Sequence, residues 1–123
     1  MKLSEIIELS KTLSKIVTLD MPFSLSYKFN KLIKIVSASE EFYNTKVYEL
    51  LQTYGKKDDN GKIIQDELGV HLRFETQDEF HKKHAELRDV EISDELLTFT
   101  VSELESLSIS PQDLLPLMPL IKD

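Results

Sequence analysis

Cysteine is absent from this chain, and only three of its 123 residues are glycine. Without cysteine there are no disulfides and no thiolate metal sites, and a reducing compartment is compatible with the sequence. Three glycines leave no glycine-rich loop to cradle a phosphate, and neither a nucleophile elbow nor an HExxH pair occurs. No apolar run approaches the roughly 18 residues that a membrane span requires. Met1 to Val17 carries Glu5 and Glu8 among its apolar residues and does not read as a signal peptide. The expectation is a soluble, intracellularly made protein. A hydrophobic content of 41% and a charged content of 30% are those of a globular chain, and residues 1–123 are expected to form a single domain.

Prolines are few as well, and between Pro22 and Gly55 there is neither proline nor glycine. Leu25, Phe29, Leu32, Val36, Tyr43, Val47, Leu50 and Tyr54 recur there at helical spacing, which predicts one long α-helix with a continuous apolar stripe. Pro22 suits the first turn, and Gly55 suits a C-terminal stop. Such a helix is about 50 Å long, whereas a compact domain of this size is only about 35 Å across. It is therefore expected to bend, to protrude, or to lie against a partner. Ser37-Ala38-Ser39 is where a bend is expected.

Before it, Leu3 to Val17 reads as a first helix, with Ser4 as cap and a short turn to Met21, so the two form a hairpin. After it, Asn60-Gly61 is a turn signal, and Lys62-Ile63-Ile64 and Val70 to Phe74 read as short strands. Thr76 with Glu79 forms a capping-box pattern opening a helix from Gln77 to about Arg88, with Phe80, Ala85 and Leu87 as core candidates. Val90, Ile92, Leu97, Phe99 and Val101 alternate around Asp94-Glu95 and predict one or two further strands. Ser102 with Glu105 suggests a capped turn, and Ser110-Pro111-Gln112-Asp113 opens a short helix interrupted by Pro116 and Pro119.

The net charge of −7 is uneven: residues 1–57 carry +3 and residues 58–123 carry −10. That balance disfavours nucleic acid as a partner of the whole chain and suits a soluble surface or head-to-tail contact between copies. Lys28, Lys31 and Lys34 lie at steps of three and read as a solvated face. Lys56 to Glu67 follows the EF-hand spacing, with Asp58, Asn60, Gly61, Ile63 and Glu67 in place. Its first position is Lys56, whose cation would repel Ca²⁺, so a helix-to-strand turn is the expected reading. His81 and His84 lie three apart with His71 nearby, a spacing that zinc uses only when a third ligand converges. The acid pairs Glu40-Glu41 and Asp78-Glu79 point apart on a helix. No catalytic residue, cofactor site or metal site is therefore assigned, and an enzyme is not expected.

Four segments resemble a group of small tailed-bacteriophage accessory proteins of unknown function. They are Leu19 to Lys34, Tyr54-Gly55-Lys56-Lys57-Asp58-Asp59-Asn60-Gly61-Lys62, Phe80 to Asp89 around His84-Ala85-Glu86-Leu87, and Ser110-Pro111-Gln112-Asp113-Leu114. The resemblance implies a phage-encoded accessory protein located in the host cytoplasm or the virion, and it carries no active site. The expected fold is α+β: an N-terminal helical hairpin with one long helix, a small antiparallel sheet, a third helix and a short C-terminal helical segment. The expected function is a non-catalytic interaction protein, a virion component or assembly factor. It would self-associate or bind a protein partner, with neither nucleic acid nor membrane involved. The alternative is an acidic inhibitor of a host protein. Tyr43, Val47, Leu50 and Tyr54 on the long helix and Leu117, Met118 and Leu120 in the tail are the expected contact residues.

Overall fold

The apolar periodicity of the first fifty residues becomes two helices, α1 (Leu3–Ile16) and α2 (Phe23–Tyr54). The computed structural model describes residues 1–67, 69–93 and 96–122. Among these, the fold is mostly helical with one two-stranded antiparallel sheet, β1 (Gln65–Asp66) against β2 (Gly69–Val70). Further helices are α3 (Gln77–Arg88), α4 (Val101–Leu104) and α5 (Pro111–Leu114), the last running into a 3-10 helix over Leu115–Leu120. The chain forms two compact units: unit 1 is Met1–Glu40 with Glu91–Asp123, and unit 2 is Glu41–Val90.

Unit 1 is built on α1 and the first part of α2. Ile6, Leu9, Leu13 and Ile16 pack in one core with Leu25, Phe29, Leu32 and Val36. The two helices run antiparallel: Ser10 donates to the carboxylate of Glu40, while Val17, just past the end of α1, shares a hollow with Ile33. The cap of α1 is not Ser4 but the Glu5 carboxylate, which accepts from the Lys2 N–H at 2.8 Å. Pro22 stands just before α2 rather than inside its first turn; its carbonyl accepts from Leu25 and Ser26 at 3.1 and 3.0 Å. α2 then continues without interruption through Ser37–Ser39. Ser39 is buried and carries the stripe across the gap between Val36 and Tyr43.

Phe99, Leu104, Leu107, Leu117 and Leu120 close the same core from the C-terminal side. Phe29 and Phe99 stack with ring centroids 4.6 Å apart, and the Lys28 ammonium sits 4.7 Å from the Phe99 ring centre. Among the described residues, the strands expected across Val90 to Val101 do not form. Their place is taken by isolated bridges, Lys2 with Glu91 and Phe99 with Ile121, while Val101 opens α4. The expected turn at Asp94-Glu95 lies outside the described residues. α4 is capped two residues earlier than Ser102 suggests: the Thr100 hydroxyl accepts from the Glu103 N–H at 3.1 Å, and Glu103 accepts from the Thr100 N–H at 2.9 Å. Ser110 caps α5 as its sequence indicates, accepting from the Asp113 N–H at 3.2 Å with Pro111 at the first helical position.

The Glu103 carboxylate also accepts from Lys28 Nζ at 2.9 and 3.0 Å. The Thr100 N–H first, and the Lys28 ammonium second, hold its pKa below the usual carboxylate range. A depressed pKa means that folding favours the ionised form, so this stabilisation is present above the unfolded-state pKa and lost as pH falls through the folded value. Glu103→Gln should therefore lower the urea midpoint at neutral pH. The difference from wild type should shrink to nothing in acid. A difference that persists unchanged below the pKa of Glu103 would assign the effect to packing instead.

Unit 2 begins on the last turns of α2 and returns through three short segments. Lys56 donates to the His71 carbonyl at 2.7 Å, His71 donates to that of Ile64 at 3.0 Å, and Ile64 donates to that of Lys56 at 2.8 Å. These bonds close a ring of main-chain contacts among residues 54–58, 62–66 and 69–73. β1 and β2 form the outer part of this array, and bridges between Gly55 and Leu72 and between Lys57 and Ile63 extend it. Gly61, at φ +78°, supplies the left-handed position that the Asn60-Gly61 turn needs. Gly55 does not adopt a positive φ, so it does not end α2 by the expected left-handed stop. A Cβ there would lie 2.4 Å from the Leu51 carbonyl oxygen and 2.9 Å from Ile63 Cδ1, so the close approach of the Leu51 carbonyl is what requires glycine.

α3 spans the expected residues, but its expected capping box is not made. Thr76 precedes the helix with no side-chain cap bond, and its buried hydroxyl has no partner among the described residues. Glu79, the other half of the pattern, instead accepts from the Tyr54 hydroxyl at 2.9 Å. Phe80 and Leu87 are buried on the inner face, whereas Ala85 is exposed.

Candidate interaction surfaces

The tail of unit 1 illustrates how local geometry sorts similar side chains. A 3-10 helix repeats every three residues, so Leu117 and Leu120 fall on one edge, in line with Leu114, and Leu115 and Met118 fall on another. Leu117 (0% exposed) and Leu120 (5%) belong to the core. Among the three tail residues expected to make contacts, Met118 alone is exposed, at 54%. All three are expected contact residues; the Pro116-x-x-Pro119 spacing, itself a step of three, is the signal that separates them.

Beside Met118 lies a cleft of about 410 Å³, lined by Val101, Leu104, Leu107, Ile109, Leu114 and Ile121, with Glu105 as the charged wall among the described residues. α4 and the 3-10 tail form its sides. Capping by Thr100 and Ser110 fixes both short helices, so the cleft is a built feature of unit 1. Glu105 belongs to an acidic stretch: residues 89–123 contain eight acids and one lysine, a net −7 that equals the charge of the whole chain. Of these acids, Glu103 is paired with Lys28 and Asp113 with Lys15, at 2.9 and 3.1 Å.

The four contact residues expected on the long helix all lie in unit 2. Tyr54 is buried, and its ring meets Phe80 edge-on with centroids 6.3 Å apart. The bond to Glu79, followed by burial, pushes its phenol pKa up. Tyr43, Val47 and Leu50 are half-buried. The Tyr43 hydroxyl lies 2.9 Å from His84 Nε2, and the His84 ring stacks on Phe80 at 5.9 Å. Burial, then the charges of Arg88 and His81, lower the His84 pKa and so favour the neutral ring. Leu50 and Tyr54 line a second hollow of about 340 Å³ with Phe42, Leu87 and three charged side chains, Lys46, Glu49 and Lys83.

The three histidines are not brought together as a ligand set. His71 Nε2 donates to Asp66 at 2.6 Å, His84 meets Tyr43, and His81 lies edge-on to Phe80. Among the described residues, no group of three histidine or acidic side chains is placed to hold a metal ion. In the EF-hand-like stretch, Asp58 Oδ1 accepts from the Asn60 and Lys62 N–H groups at 2.8 and 3.0 Å, the geometry of a side-chain-stabilised turn. Lys28 is spoken for by Glu103 and Phe99, so the row of Lys28, Lys31 and Lys34 is not a uniform solvated ridge. No helix among the described residues is long and apolar enough to cross a membrane. Comparison with protein-family models, with curated proteins and with solved structures finds no match.

Proposed function

We propose that this protein is a non-catalytic, protein-binding component of a larger assembly. The resemblance of its sequence makes a tailed-phage particle, or the machinery that assembles one, the expected setting. One observation carries the reading: an open apolar cleft of about 410 Å³ with Glu105 as the charged residue among its described lining. Concave apolar surface with an exposed rim is what a folded partner, rather than a polar metabolite, would cover. The test is quantitative mass spectrometry of purified particles made in cells that express the protein. A fixed copy number per particle supports the proposal, and its absence from particles and assembly intermediates would end it.

The concentration of the whole net charge in residues 89–123 favours a second reading, an acidic factor that docks on a basic face of a host protein. Such binding would weaken steeply between low and moderate salt, because exposed charges are screened within about 10 Å at 0.1 M ionic strength. Burial of the cleft would resist the same salt.

A further inference from the structure

We infer that the cleft of unit 1 receives the aromatic start of α2 from a second copy of this chain. This rests on the protein-binding reading above and names the partner. Phe23 is 95% exposed and Tyr27 66% exposed, the two most conspicuous apolar rings of unit 1. They lie four residues apart, one helical turn, and so project from one face. Lys31 continues that face by a further turn, its ammonium 5.3 Å from the Tyr27 ring centre. The result is a ridge of two rings and a cation on a rigid helix.

Charge selects the occupant. Residues 1–40 carry six lysines against four acids, a net +2, while the cleft belongs to the stretch that carries −7. Ring faces would fill the apolar floor, and Lys31 would stand near Glu105 at the wall. Within one chain the ridge stays outside the cleft: Phe23 is 95% exposed while Lys28 and Glu103 hold α2 to α4. A second copy offers the ridge without any rearrangement. Ridge and cleft are different patches of one unit, so the contact either joins two copies reciprocally or propagates head to tail.

The experiment is sedimentation equilibrium of the full-length chain over a wide concentration range, with the variants Phe23→Asp and Met118→Asp. Both positions are exposed, and an unchanged thermal melt serves as the folding control. Wild type is expected to self-associate, and each variant should weaken association by about thirtyfold, as loss of a central aromatic or apolar anchor does. Mixing the two variants should restore a 1:1 pair, since Phe23→Asp keeps the cleft and Met118→Asp keeps the ridge. Should either variant unfold, Lys31→Glu and Glu105→Lys replace them: each alone weakens association and the double variant recovers it. A wild type that stays monomeric up to its solubility limit overturns the inference, as does a mixture that fails to pair. A monomer that is nevertheless incorporated into particles refutes the self-contact and leaves the broader function standing. Association indifferent to all four substitutions does the same.

Discussion

Phe99→Ala is expected to destabilise unit 1 by about 3–5 kcal/mol, the range for truncating a fully buried phenylalanine. Phe99 is 1% exposed and is held on every side. Its ring stacks on Phe29, its outer face carries Lys28, and its main chain pairs with the tail through Phe99 N–H to the Leu120 carbonyl (2.8 Å) and Lys122 N–H to its own carbonyl (2.7 Å). The surrounding groups are therefore fixed by separate bonds and cannot collapse into the vacated space, which places the cost at the upper end. Domains of this size have about 5–15 kcal/mol in total, so a single truncation removes a large share. Urea denaturation followed by far-UV circular dichroism measures it. Phe99→Leu, which keeps most of the volume, should cost less than half as much. Equal losses for the two would mean that the stacking on Phe29 matters more than the filled space.

The second large effect is expected from the smallest substitution, Gly55→Ala. At an ordinary position with negative φ, glycine to alanine stabilises by about 0.4–1 kcal/mol through the unfolded chain. Here the sign should reverse, with a loss of about 1–3 kcal/mol as for other overpacked sites. The Ile63 methyl can swing aside, but the Leu51 carbonyl belongs to the last turn of α2 and accepts the Gly55 N–H at 2.8 Å. Backbone must shift to admit the methyl group, and the return of the chain toward Leu72 shifts with it. Hydrogen exchange separates this from a global effect: amides of Lys56, Ile64 and His71 should exchange faster, while those within α1 keep their protection. A neutral or stabilised Gly55→Ala would mean that the close approach relaxes freely.

The helices were legible because a period of three and four survives any reading of the sequence. Leu25, Phe29, Leu32 and Val36 needed no knowledge of what they touch. Other features were hidden because one residue can serve two masters. Glu79 matches a capping pattern with Thr76, yet the Tyr54 hydroxyl, 25 residues earlier in sequence, takes it. The alternation through Leu97, Phe99 and Val101 resembles a strand, but one bridge to Ile121 is all the pairing Phe99 finds, and Thr100 with Glu103 turns the chain into a helix instead. Of the surfaces, the tail was visible as apolar, but its division into Leu117 and Leu120 within and Met118 without depended on 3-10 geometry. Phe23 and Tyr27 were passed over because they sit beside a stripe that satisfies every rule for a core face. Only burial shows that they are left outside it.

The ring of peptide groups joining Lys56, Ile64 and His71 has a consequence for how this region tolerates change. Each segment lends one proton and one lone pair, so the closure asks nothing of the side chains at those three places. Proline alone, which has no proton to lend, is ruled out by the ring itself. The sewing lies in the cloth and not in the buttons.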